Sequence, residues 1–167
     1  INFLFLHSSI ISIGFNQWMV AGQGISILRN NILIPDTTFL GGDEICIDLL
    51  NNGMGRIYAL MNTRLYYRGI NSQIWFEDTI MGLEGASQIL QHEGLIMISS
   101  KSGLWVRSTS GDWNTKKTMP VISSISFKKN LFVISNNGLE KYEDSLWVLR
   151  EKDLNGYHNF LKTQIMS

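Results

Sequence analysis

Cysteine is almost missing from this chain. Cys46 stands alone among 167 residues, which excludes an internal disulfide and a cysteine-rich metal site. Proline is nearly as scarce, with only Pro35 and Pro120. Neither sign of charge is in excess, since 14 basic residues face 14 acidic ones. A neutral chain without a basic cluster is poor material for neutralising phosphates, which argues against nucleic acid and against an anionic membrane surface as partners. No stretch approaches the ~18 uninterrupted apolar residues of a membrane helix, so no membrane insertion is expected. His7, His92 and His158 are isolated, without a second ligand at metal spacing. Helix signals are also thin. The best candidate, Thr79 to Leu90, is broken by Gly82, Gly85 and Ser87, and reads as a loop with at most a turn of helix.

What is present is an apolar, weakly charged chain: 44% hydrophobic and 17% charged, enough to bury the core of one domain. The opening run INFLFLHSSIISIGF is interrupted by Asn2, His7, Ser8 and Ser9 and lacks a basic flank, so it reads as strand rather than as a signal peptide. A chain that begins at Ile1 instead of Met is expected to be processed or part of a longer polypeptide.

The informative feature is repetition. Four segments end a strand in a short turn and restart: WMVAGQG-ISILRN from Trp18, RIYALMNTR-LYYRG from Arg56, LIMISSKSG-LWVRST from Leu95 and LFVISNNG-LEKYED from Leu131. The first residues after the turn are Ile25, Leu65, Leu104 and Leu139. Gly24, Gly103 and Gly138 precede three of them, and Arg64 precedes the other. Each unit then adds a further strand (Ile32–Pro35, Gln73–Phe76, Trp113–Asn114, Leu146–Leu149) and is preceded by an apolar stretch (Ile10–Phe15, Ile45–Leu50, Ser87–Leu90, Ile122–Phe127). Four strands every ~35–40 residues is the period of a propeller blade. The sequence therefore predicts an all-β chain, a β-propeller of four-stranded antiparallel blades over roughly 10–35, 45–76, 87–114 and 122–151. The ends, NFLFLHS and YHNFLKTQIMS, are candidates for a fifth blade, and a larger ring is the other option. A β-sandwich is the alternative architecture.

The stretch VRSTSGDW, 106–113, resembles the Asp-box (BNR) repeat of sialidase-like propellers through Ser108, Gly111 and Trp113. Ser110 stands where that repeat has its aspartate, and the loop is two residues short. The resemblance implies a structural loop between the third and fourth strands of a blade, distant from the active face, with Ser108 and Asp112 stabilising the turn. The sialidase activity that goes with the fold is not implied. Leu33, in Ile32-Leu33-Ile34-Pro35, occupies the place of an arginine that would clamp a carboxylate, and leucine cannot do so.

Chemistry-bearing motifs are otherwise few. Gly22-Gln23-Gly24 lacks the lysine of a phosphate loop, and there is no Gly-x-Ser-x-Gly elbow. The acid pairs Asp43-Glu44, Glu77-Asp78 and Glu143-Asp144 read first as solvated loop charges. Trp75, Trp113 and Trp147 recur in register and are expected between blades, while Trp105 and the pair Tyr66–Tyr67 are candidates to leave a ring outward. The turns at Gln23, Asn62–Arg64, Lys101–Ser102 and Asn136–Asn137 should share one rim with loops 35–44, 77–87 and 115–121. Long loops carry function, and Asp43, Glu44, Arg64, Glu77 and Asp78 are the candidate ligand contacts there.

These features predict a non-catalytic propeller module that needs no cofactor and binds a glycan or protein through its loop rim. It would be a subunit of a larger, extracellular or virion-associated assembly such as a phage tail adhesin. A fragment of a sialidase-like glycoside hydrolase and a purely structural or assembly-factor propeller are the two alternatives.

Overall fold

The computed structural model describes residues 9–39 and 44–152. They form sixteen strands in four antiparallel four-stranded sheets, each a simple meander. Blade 1 holds β1 (Ile10–Gly14), β2 (Gln17–Gly22), β3 (Gly24–Arg29) and β4 (Ile32–Pro35). Blade 2 holds β5 (Asp48–Asn51), β6 (Arg56–Leu60), β7 (Leu65–Gly69) and β8 (Phe76–Asp78). Blade 3 holds β9 (Ala86–His92), β10 (Leu95–Ser100), β11 (Gly103–Arg107) and β12 (Trp113–Lys117). Blade 4 holds β13 (Val121–Phe127), β14 (Asn130–Ser135), β15 (Gly138–Glu143) and β16 (Leu146–Glu151).

Turn chemistry explains much of the meander. Asn30-Asn31, Glu93-Gly94, Lys128-Lys129 and Asp144-Ser145 all have positive φ at both positions, the conformation whose twist matches a two-residue hairpin. On the opposite rim, Gly103 and Gly138 also adopt positive φ. A Cβ on either would fall on a carbonyl oxygen, that of Lys117 or Glu151, where the outer strand bulges beneath the turn. Blade 2 has no such bulge, and its pairing ends at Leu65 opposite Asp78. Arg64, which stands where the other blades have glycine, is not among the residues at positive φ, so a side chain is tolerated there.

The core lies between blades. Met19, Ala21 and Ile25 of blade 1 pack on Leu49, Ile57, Ala59, Tyr66 and Trp75 of blade 2. Tyr58, Leu60 and Leu65 on the other face of blade 2 pack on Ile89, Ile96 and Ile98 of blade 3, and Met97 and Leu104 of blade 3 on Leu131 and Val133 of blade 4. Strand alternation thus sends odd and even positions of each second strand to different neighbours. Trp75, Trp113 and Trp147 each belong to one of these three layers, as their spacing predicts. Successive first strands β1, β5, β9 and β13 pack side by side, and the four sheets do not close into a ring.

This architecture rules out the β-sandwich. Two strands of blade 2 start later than expected, β5 at Asp48 instead of Ile45 and β8 at Phe76. The fourth strand of blade 2 begins at Phe76 instead of Gln73, because Trp75 turns in toward Phe39 and Tyr66 before pairing starts. The segment from Thr79 contains no helix: it turns through Gly82 and Gly85, both at positive φ, and enters β9 at Ala86. The tails proposed for a fifth blade lie outside the described residues.

Candidate functional site

The turn between second and third strands and the connection into the following blade do meet on one rim. Gly24 N donates to Glu44 O (2.8 Å) and Cys46 N to Gly22 O (2.8 Å), which ties the β2–β3 turn to the entry of blade 2. Ala86 N donates to Asn62 O (3.0 Å), tying the β6–β7 turn to the entry of blade 3.

The first of these junctions presents the candidate site. Arg64 Nη1 lies 3.3 Å from Glu44 Oε1 and donates to the Tyr66 hydroxyl at 3.4 Å. Tyr66 pairs across the strands with Glu77, so Glu77 rises on the same face. The hydrogen bond to Tyr66, and then the charges of Glu44, Tyr66 and Glu77, hold the Arg64 guanidinium above its ordinary pKa. Beside the pair lies a depression of about 410 Å³ lined by Glu44, Ile45, Ile47 and Asn62. Ile45 is two-thirds exposed because it forms only an isolated bridge to Gln23 and Gly24 and its side chain has no layer to enter. The arrangement is an exposed arginine–carboxylate pair beside an apolar shelf with an amide at its edge.

Of the five residues read from the sequence, Glu44, Arg64 and Glu77 are brought together. Asp43 lies outside the described residues. Asp78 points to the opposite face of its strand and receives Arg107 Nε at 3.0 Å, a bond between blades 2 and 3. Asp36, in the same long loop as Glu44, is likewise engaged in packing. Its carboxylate accepts from Trp75 Nε1 (3.3 Å) and lies 3.7 Å from Arg68 Nη1, and the Arg68 guanidinium sits 4.9 Å from the Trp75 ring centre. Burial lowers the Arg68 pKa, and the Asp36 charge opposes that shift.

Two contributors were missed in the sequence: Ile45 and Ile47 look like core residues of a strand that in fact starts only at Asp48, whereas Asn62 belongs to the rim turn already expected there. Of the pair Tyr66–Tyr67, expected to leave one ring outward, Tyr66 is buried against Phe39 at 5.0 Å and offers only its hydroxyl to the rim. Tyr67 stacks on Phe76, and Trp105 donates Nε1 to Ser102 Oγ (3.0 Å) beneath Gly82.

The loop from Ser108 to Asp112 joins β11 to β12. Ser108 N donates to Asp112 O (2.8 Å), Asp112 N to Ser108 Oγ (3.0 Å) and Ser110 Oγ to Asp112 Oδ2 (2.7 Å). Its short polar side chains satisfy its own backbone. Among the described residues, no group of three His, Cys, Asp or Glu side chains could hold a metal ion. No helix there is long and apolar enough to cross a membrane.

Fold and rim together define a β-propeller with a loop-rim depression. Neither a family model nor a curated protein sequence matches the chain. Solved structures do resemble it. The extracellular domain of a hybrid two-component system from B. thetaiotaomicron aligns over 88% of this chain and 22% of its own, at 15% identity and a TM-score of 0.68. Virginiamycin B lyase from Staphylococcus aureus aligns over 82% of this chain and 52% of its own (13%, 0.62). The WD40 propeller domain of Doa1 aligns over 84% and 52% (16%, 0.62). The likeness is one of fold, and the chain spans from about a fifth to about half the length of these proteins.

Proposed function

We propose that the protein is a non-catalytic binding propeller that takes a protein segment at the rim between blades 1 and 2. The observation that carries this reading is the Glu44–Arg64 pair, exposed and set beside Ile45, Ile47 and Asn62. An apolar shelf with a fixed donor, an acceptor and an amide suits a peptide, whose backbone needs hydrogen bonds and whose side chains need apolar cover. A glycan site would call for an open aromatic face, and no aromatic residue lines this depression. The extracellular domain among the structural neighbours is compatible with a propeller that acts as a module within a larger surface protein.

The test is a displayed peptide library and a glycan array, each screened in parallel with the parent protein and with Arg64→Ala and Glu44→Gln. Peptide ligands that weaken at least about tenfold on Arg64→Ala support the proposal, the size expected for a charged hydrogen bond in a contact. Ligands indifferent to both substitutions, or a hit set confined to glycans, overturn it.

A further inference from the structure

The charges beside the rim depression do not balance. Arg64 is flanked by two carboxylates. Glu44 Oε1 lies 3.3 Å from its Nη1, and Glu77 stands across the strands from Tyr66, whose hydroxyl accepts from the same nitrogen. The guanidinium feels the Glu77 charge, yet Glu77 is exposed and enters no ion pair or hydrogen bond among the described residues. The other charged groups nearby are matched or turned inward. Asp78 holds Arg107, Asp36 faces Arg68, and Asp48 points to the backbone of β9 at Ile89 N. Beyond Asn62, whose carbonyl accepts from Ala86 N, the exposed Glu84 and Lys101 lie together and offset each other, with Lys101 N donating to Glu84 O at 3.0 Å. One cation thus serves two carboxylates at the Arg64 corner, and the excess negative charge is that of Glu77.

The apolar part of the site adjoins this corner. Glu44 belongs both to the ion pair and to the wall of the depression, and the exposed Ile45 follows it directly in the chain. A lysine or arginine side chain answers both features in one group, since its methylene stem covers apolar surface while its head stays in water. A carboxylate has no comparable place. To reach Arg64 it would displace Glu44 and lie beside Glu77, meeting two like charges and one opposite one. A cation there meets two opposite charges and one like one.

We infer that the segment taken at this rim presents a basic side chain, its stem on Ile45 and Ile47 and its head at Glu44 and Glu77. This specificity rests on the rim being a peptide site and adds the sign of the charge that the peptide carries. Arg64 keeps its other N–H groups for the segment's carbonyl oxygens. Arginine fits better than lysine, because a planar guanidinium pairs with a carboxylate through two hydrogen bonds. The groups are open to water, so the preference is moderate and sensitive to salt.

Three displayed peptide libraries test this, identical except for one fixed central residue: arginine, glutamine or glutamate. Each is panned on the 167-residue chain, on Glu77→Gln and on Glu77→Lys, at about 50 mM and about 500 mM salt. Glu77 is exposed, and circular dichroism checks that the sheets are kept. At low salt the parent should retain arginine peptides roughly fivefold over glutamate peptides, with glutamine between them. Glu77→Gln should bring that ratio to within about twofold, Glu77→Lys should invert it, and high salt should shrink it. Equal retention of the three libraries, a preference for glutamate, or an arginine preference untouched by Glu77→Gln overturns the inference and leaves the rim standing as a peptide site. Retention of none of the libraries overturns the peptide site itself, and the inference with it.

Discussion

Lys117 Nζ, at the end of β12, lies 2.9 Å from Glu140 Oε1 on β15, and both side chains are buried between blades 3 and 4. Ser135 Oγ donates to the other carboxylate oxygen at 2.6 Å, and the ammonium lies 5.1 Å from the Trp147 ring centre. A desolvated pair of this kind is held by completeness: each partner compensates the burial of the other. Lys117→Met leaves a buried carboxylate without its cation and should cost about 3–5 kcal/mol. The double change Lys117→Met with Glu140→Leu should recover most of that. Urea unfolding of the parent and the two variants reads both numbers, and a single variant within about 1 kcal/mol of the parent would show that the pair carries little.

Burial pushes the Cys46 thiol up to about 12, with the Asp48 charge adding to the effect. The thiolate is the reactive form. Cys46 should therefore resist Ellman's reagent in the folded protein at pH 8 and react at once in denaturant. Rapid modification under native conditions would show that the β5 entry opens readily.

Asp48 accepts from Ile89 N and Leu49 N, yet burial outweighs these bonds and raises its pKa above 3.8. A carboxyl raised in the folded state binds its proton more tightly there than in the unfolded chain. Its protonated form stabilises the fold at low pH, and that contribution is lost as pH climbs from 3.8 through the raised value. Asp48→Asn keeps an acceptor for Ile89 and removes the buried charge. It should raise neutral-pH stability and flatten this segment of the stability–pH curve. A loss of stability at pH 7 would mean that the carboxylate's charge strengthens its bond to Ile89 N.

Lys128-Lys129 occupy a hairpin turn with φ of 47° and 66°, a conformation that suits asparagine and glycine. Replacing them by Asn-Gly should raise stability by about 0.5–1.5 kcal/mol, readable as a higher melting temperature. Gly103→Ala should act in the opposite direction and more strongly, by about 2–4 kcal/mol, because its φ of 135° and the Lys117 carbonyl leave no room for a methyl group. The corresponding Arg64→Gly in blade 2 meets no such restriction and should change stability by less than about 1 kcal/mol.

The blade period was legible in the sequence because each four-stranded unit repeats one local grammar: β-branched runs, turn residues, and a marker leucine or isoleucine after the second turn. The roles of Trp75, Trp113 and Trp147 were legible for the same reason, since residues in register with a repeat face equivalent joints. The division of Glu77 from Asp78 follows from strand alternation alone, but which of them would meet Arg107 and which would join Arg64 depended on the blade that stood on each side. Only the start of β5 at Asp48, beyond both residues, turned Ile45 and Ile47 from presumed strand core into a shelf on the rim. Only the backbone showed that the position of Arg64 is not at positive φ, unlike Gly24, Gly103 and Gly138, and so does not require glycine. The chain's own alternation and turns determined sixteen strands and their order; the tertiary structure decided which side chains find a neighbouring blade and which are left facing outward, because burial between blades is set by contacts distant in sequence.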